Sequence, residues 1–166
     1  MSEGYAGGSA GVRHPGAGAY GGLFKRFVAR VVDGLLVGLT VTVLFAVIPG
    51  VGTRGFVYGV VSTAASFGYF VYLESSRGGT LGKQLLGLRV VGLAGGSPIT
   101  PEASARRNAW ILLGLLSGLP LIGFLAGLAS LGIVIAIAVT ISSDPRNQGL
   151  HDRFGGTLVL ERPQPA

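Results

Sequence analysis

Three charged side chains in an otherwise apolar stretch are the first residues with chemical potential. They are Arg26, Arg30 and Asp33. If the stretch is helical, at 100° per residue, Arg30 is offset from Arg26 by about 40° and Asp33 by about 20° the other way. All three then share one face, and Thr40 continues it one to two turns deeper. Charges at the centre of a spanning helix cost about 2.5–3.5 kcal/mol each on insertion scales. Asp33 stands about 10 Å inside the helix end by helix rise, so its cost is smaller, but it still needs a partner or water. Two readings stay open. In one, Arg30 pairs with Asp33 at i,i+3 and Arg26 snorkels to lipid headgroups. In the other, Asp33 faces a polar cavity and contacts a solute or cation. A nearby arginine keeps an aspartate ionised, which suits holding a cation or a helix better than shuttling protons.

Further along, Ser62, Ser66 and Tyr69 repeat at i, i+4, i+7 and form a polar stripe. Such hydroxyls join membrane helices or line a site shared with Asp33. Glu74 follows at the end of that segment, placed to meet Arg26 or Arg106. Gly78-Gly79-Thr80-Leu81-Gly82-Lys83 has a superficial phosphate-loop look. However, Arg77 stands where the first glycine is required and Gln84 where Ser/Thr is required, so that reading is rejected. His151-Asp152-Arg153 has no accompanying serine nucleophile motif. The chain has no cysteine, and its two histidines lie far apart. No thiolate chemistry, metal site, cofactor or enzymatic activity is therefore expected.

The elements that must position these residues are apolar. Of the 166 residues, 49% are hydrophobic and 12% charged, against roughly 25% charged in ordinary domains. Val31–Thr53 contains only Asp33 as a charge, and Gly55–Leu73 and Asn108–Ser143 contain none. Stretches of this length read as membrane spans. The net charge of +6 resides in basic residues at their edges, so no nucleic-acid partner is expected.

Residues 1–22 read as a disordered Gly-rich tail, 23–160 as the transmembrane domain and 161–166 as a C-terminal tail. A first span covers about Leu23–Ile48, too long and too far from the start for a signal peptide. A second covers about Phe56–Leu73, joined to the first by a short link at Pro49–Gly55. The last apolar block would be about 52 Å long as one helix, against a hydrocarbon core of about 30 Å. Pro120 and Gly123 break it into a short helix over about 107–119 and a full span over about 121–142; a single long tilted span is the alternative. Leu88–Leu93 and Thr157–Glu161 read as strands of one small sheet outside the bilayer, with Ala94–Gly96 as a turn into a second strand near Ser97–Thr100. Pro101-Glu102-Ala103 starts a helix. The expected fold is an all-α integral membrane bundle of three to four membrane segments with a small cytoplasmic β element.

Lysines and arginines concentrate at the N-terminal flank, in 74–107 and at the C-terminus, with Arg54 alone in the intervening link. That bias puts both termini in the cytoplasm, across an even number of passes in the plasma membrane. Gly34/Gly38, Gly114/Gly118 and Gly123/Gly127 have the small-xxx-small spacing that lets helices approach. The expected partners are the lipid bilayer and a second copy or another membrane protein.

Several motifs occur in a familiar order. Arg26-Phe27-Val28-Ala29-Arg30-Val31-Val32-Asp33 resembles the first-helix signature of the RDD family of bacterial membrane proteins. Thr80-Leu81-Gly82-Lys83 with Gly87-Leu88-Arg89-Val90-Val91 is similar to that family's middle motif. Arg107-Asn108, and Gly149-Leu150-His151-Asp152-Arg153 with Gly156-Thr157-Leu158-Val159, resemble its closing pattern. The resemblance implies that the family arginine is Arg26 and its aspartates Asp33 and Asp152. If Arg26 and Asp152 act together they must lie at one membrane face, which favours the broken last block. Some members carry an aspartate before a Leu-Pro; here Ser117-Gly118 precede Leu119-Pro120. The leading expectation for function is binding or movement of a small solute or ion near Asp33; the resemblance implies transport of an unidentified ligand, with cation/proton exchange proposed for some members. The alternative is a non-enzymatic scaffold for other membrane proteins. The candidate functional cluster is Arg26, Arg30, Asp33, Asp152, Ser66 and Tyr69.

Overall fold

A computed structural model of the chain describes residues 20–48, 55–93 and 98–162. The tail over residues 1–19, the link over 49–54, the expected turn over 94–97 and residues 163–166 lie outside the described residues.

Three helices are long and apolar enough to cross a membrane: α1 (Leu23–Val47), α2 (Phe56–Arg77) and α5 (Pro120–Ser143). Two short helices, α3 (Leu81–Leu85) and α4 (Pro101–Asn108), stand between α2 and α5. A 3₁₀ segment, Ala109–Leu116, continues α4 directly. A final short helix, α6 (Leu150–Gly155), precedes strand β2 (Thr157–Glu161).

The last apolar block is broken, as Pro120 and Gly123 imply. Its first half does more than dip into the bundle. Ser104 and Asn108 hydrogen-bond to Glu74 near one end of α2, and Gly118 abuts Phe56 at the other. α4 and the 3₁₀ segment therefore run antiparallel to α2 along its length. At about 2.0 Å per residue the apolar 3₁₀ segment extends about 16 Å, and the polar helix α4, which carries Glu102, Arg106 and Arg107, adds about 12 Å to the strand-bearing side. Small residues permit the approach. A Cβ on Gly114 would lie 2.5 Å from Thr63 Oγ1, and one on Gly118 would lie 2.5 Å from the Phe56 Cα.

The reversal at Pro120 and the run of α5 bring both described ends of the chain to one face. There β1 (Leu88–Gly92) pairs antiparallel with β2, Val90 opposite Val159. Tyr20 adds an isolated bridge to Leu160, and Gly21 N–H donates to Val159 O at 2.9 Å. Tyr20–Gly22 are thus ordered parts of the domain and not tail, and Glu161 belongs to β2. Of the expected strand near Ser97–Thr100, the described residues 98–100 form no strand. Ile99 is instead buried with Ala29, Leu88, Val90 and Val159 in a small core, and the Thr100 hydroxyl caps α4 by accepting from Ala103 N–H at 3.2 Å. Pro101 follows at the first helical turn, where its missing N–H costs nothing.

Outward-facing residues are apolar along the spans: Phe24, Leu35, Leu39 and Val43 on α1, and Leu121, Phe124, Leu128 and Ile135 on α5, are all exposed. Such surface would destabilise a water-soluble chain and is solvated by acyl chains in a membrane protein.

Candidate functional site

The polar atoms collect just inside the strand-bearing face, in two places. The first is Asp33, fully buried on α1. Its carboxylate accepts from the Tyr69 hydroxyl at 2.7 Å, the Thr80 hydroxyl at 2.5 Å and the Gly82 backbone N–H at 2.8 Å. Thr80 also caps α3, and Gly82 sits against α1 so tightly that a Cβ would fall 2.3 Å from Ala29 O. Asp33 therefore pins the 80–85 turn onto α1 and draws Tyr69 of α2 into the same joint. The expected Arg30–Asp33 ion pair does not form, because these three donors already occupy the carboxylate. Arg30 turns the other way, its guanidinium carbon 3.8 Å from the Phe70 ring centre and 4.8 Å from that of Trp110.

The second place is a charge network that joins five helices through two fully buried carboxylates, Glu74 and Asp152. Asp152 on α6 pairs with Arg26 on α1 through Oδ2, and Oδ1 lies 2.9 Å from Arg107 Nη1 on α4. Arg107 also places Nε 3.4 Å from Glu74 Oε2 and donates to Thr157 Oγ1 at 2.8 Å. Glu74 completes its shell with Lys83 Nζ, Ser104 Oγ at 2.8 Å and Asn108 Nδ2 at 2.9 Å. Neither expected partner of Glu74, Arg26 or Arg106, reaches it. Arg26 does not snorkel outward; it turns inward to Asp152 and donates from Nε to Gly21 O at 2.8 Å.

Burial penalises every charge here, and mutual pairing sets the outcome. Burial alone would raise the Asp152 pKa, but Arg107 and Arg26 hold it well below the usual carboxylate range. Burial pushes the Lys83 ammonium down to about 8, with Glu74 opposing the fall, so the pair is ionised at pH 7. His151 is pushed down to about 3 by burial and by the cations around it, against the pull of Asp152. Its imidazole is neutral in the folded protein at pH 7.

Beside the network lies a cavity of about 140 Å³ between α1, the start of the 3₁₀ segment and α5. Arg26, Arg30, Lys83 and Arg107 line it, and among the described residues no carboxylate does; Glu74 and Asp152 stand behind the cations. Phe27, Val134, Ile137 and Ala138 form the opposite, apolar wall.

This geometry agrees with a comparison to known families: the model of the RDD family matches residues 20–156. The chain belongs to the RDD family. No curated protein and no solved structure matches it. Within this RDD protein the arginine and second aspartate that the resemblance singled out, Arg26 and Asp152, form a direct buried ion pair. The first aspartate, Asp33, belongs to the separate α1–α3 joint.

The remaining candidates divide. Tyr69 meets Asp33. Ser66 makes no side-chain hydrogen bond among the described residues, and Ser62 Oγ is buried without a partner. Thr40 bonds back to Leu36 O of its own helix at 2.7 Å and stays exposed. The sequence reading passed over Lys83, Ser104, Arg107 and Trp110 as candidate site residues. Lys83 and Arg107 stand inside the family-like motifs, and that was the available signal.

The partly buried imidazole gives a pH prediction. Between pH 6.5 and about 3, the unfolded chain protonates His151 and the folded chain does not. The unfolded state then binds more protons, so stability falls as pH falls, by up to about 1.4 kcal/mol per pH unit. Unfolding measured in detergent between pH 7 and 5 should show this loss, and His151→Gln should flatten it. An equal slope in both proteins would contradict a neutral, partly buried imidazole.

Proposed function

We propose that this RDD protein is a non-enzymatic membrane protein that binds a small anionic solute in the cavity between α1 and α5. The observation that carries the reading is the lining. Four cationic side chains face a space to which, among the described residues, no carboxylate contributes. Arginine forks suit the planar or tetrahedral oxygens of carboxylate and phosphate. Arg30 supports it further, since stacking on Phe70 and Trp110 leaves it with no ion pair among the described residues. Asp33, whose oxygens already accept three hydrogen bonds, serves this reading as the joint that holds α1 and not as the ligand contact. We place the protein in the plasma membrane with the strand-bearing face cytoplasmic, on the strength of the Lys/Arg bias at that face. Transport of the bound solute would follow from this binding.

Trp110 is the sole tryptophan and borders the cavity. Titrating the purified protein with inorganic phosphate should change its fluorescence saturably, and Arg30→Gln should weaken the response about tenfold or more, the loss of a charge-assisted hydrogen bond. A response to potassium at fixed anion concentration, with none to phosphate, would overturn the proposal.

A further inference from the structure

The cavity has a charged inner half, an apolar outer half and a direction of entry, and these features together narrow the ligand. At its inner end it is bounded by His151 of α6 and by Val159 of β2, which is fully buried. At its outer rim, Phe27 is 62% exposed and Val134 is 43% exposed. Val134 lies about 13 Å along α5 from the Ser143 end by helix rise. The mouth therefore opens sideways, between α1 and α5, at a depth where acyl chains are the solvent. A water-borne solute approaching the strand-bearing face meets α6 and β2 first.

Between α1 and the 3₁₀ segment, two polar atoms of the lining left over are donors. Arg26 is 7% exposed, and its Nη2 is buried with no partner. Trp110 Nε1 is buried with no partner as well. Both groups can only donate, and a buried donor without an acceptor is costly. An acceptor carrying negative charge, seated between Arg26, Arg30 and Trp110, would satisfy both and offset the cationic excess of the lining. An attached hydrocarbon chain would leave past Ile137 and Ala138 toward Phe27 and Val134.

Resting on the anion-binding reading above, we infer that the ligand is an anionic amphiphile, a lipid with a phosphate monoester headgroup, which enters laterally from the bilayer between α1 and α5. The headgroup sits on the arginines and the chain stays in the membrane. The protein is then a lipid-headgroup receptor or carrier, and the open rim is its gate. A neutral or choline-capped headgroup lacks the net charge that this lining requires.

The test uses Trp110 fluorescence in phosphatidylcholine vesicles carrying the full chain. A growing fraction of lipid is replaced by phosphatidic acid with brominated acyl chains, or in parallel by brominated phosphatidylcholine, since bromine quenches an indole it touches. Preferential seating predicts quenching that saturates at a low fraction of phosphatidic acid, several-fold more strongly than with phosphatidylcholine. Arg30→Gln should remove the preference. Ala138→Phe, which keeps every charge and fills the apolar wall, should remove it too, so a folding defect in one variant does not leave the question open. Lys25→Gln, at an exposed position outside the cavity, should retain it. Equal quenching by the two lipids, with inorganic phosphate still titrating Trp110, overturns the amphiphile and leaves the anion reading standing. Equal quenching with no phosphate response overturns both. A preference that survives Arg30→Gln and Ala138→Phe marks enrichment of lipid around the bundle and overturns the cavity as its seat.

Discussion

Replacing Arg107 by alanine is expected to cost about 3–5 kcal/mol of stability, the effect of breaking a buried ion pair by removing one partner. Arg107 is 2% exposed and stands between two carboxylates with no exposure at all. Among the described residues it alone forms ion pairs with both: Nη1 lies 2.9 Å from Asp152 and Nε 3.4 Å from Glu74. Without it, Asp152 keeps Arg26 and Glu74 keeps Lys83, but each loses half of its compensation in a region of low dielectric. Because burial costs every one of these charges, the network is held together by completeness more than by the strength of any single pair. Two consequences separate this account from a simple packing defect. Arg107→Lys preserves the charge but loses the fork, so its loss should be intermediate. Adding Asp152→Asn to the alanine variant removes a carboxylate that has already lost one of its two arginines, so the double variant should be less damaged than the two single losses added together. Reversible unfolding in mixed detergent checks both. A loss below about 1 kcal/mol for Arg107→Ala would mean that water reaches these carboxylates and that the network is not sealed.

The network also marks where the sequence was readable. Hydropathy alone located α1, α2 and α5 within a few residues, because each span must satisfy its own backbone in lipid and so cannot be short or mixed. Pro120 and Gly123 disclosed the break in the last block. What periodicity could not show was that Ala109–Leu116 winds as a 3₁₀ helix: its residues are ordinary helix formers, and only the close approach of Gly114 and Gly118 to α2 favours the longer rise. The pairing of β1 with β2 across the whole 93–156 interval was legible because both are short β-favouring runs flanked by glycine. The adjacent Ser97–Thr100 strand was a false extension of the same logic; Thr100 and Pro101 are better used to cap a helix. At the site, helical spacing correctly put Arg26, Arg30 and Asp33 near one another on α1, but spacing gives no rotamer direction. The three side chains diverge to Asp152, to the Phe70 and Trp110 rings, and to the α3 turn respectively. Tertiary partners from α2, α3, the 3₁₀ segment and α6 decide those directions. Periodicity within α1 carries no information about them.

Gly82→Ala is expected to separate α3 from α1 and to cost about 1–3 kcal/mol, the usual range for forced overpacking, despite adding a single methyl group to a helix. The added Cβ would lie 2.3 Å from the carbonyl oxygen of Ala29 and 3.0 Å from Asp33 Oδ1. A backbone atom cannot rotate away, so the 81–85 turn must move. That movement withdraws the Gly82 N–H and the Thr80 hydroxyl from Asp33 together, leaving a buried carboxylate with fewer donors. Asp33→Ala approaches the same joint from the other side, stranding three donors, and should cost about 2–4 kcal/mol. If both act through one joint, the double variant should cost clearly less than the sum of the two. Gly34, the next residue along α1, is the internal control. A Cβ there meets nothing within 4 Å, so Gly34→Ala should gain up to about 1 kcal/mol from helix propensity alone. The contrast between Gly34 and Gly82 distinguishes a pinned α1–α3 contact from a general sensitivity of the bundle to added volume. A stable Gly82→Ala protein with Asp33 still buried would remove the joint from the account. A destabilised Gly34→Ala protein would instead show that the small-residue face of α1 meets a second polypeptide in the membrane.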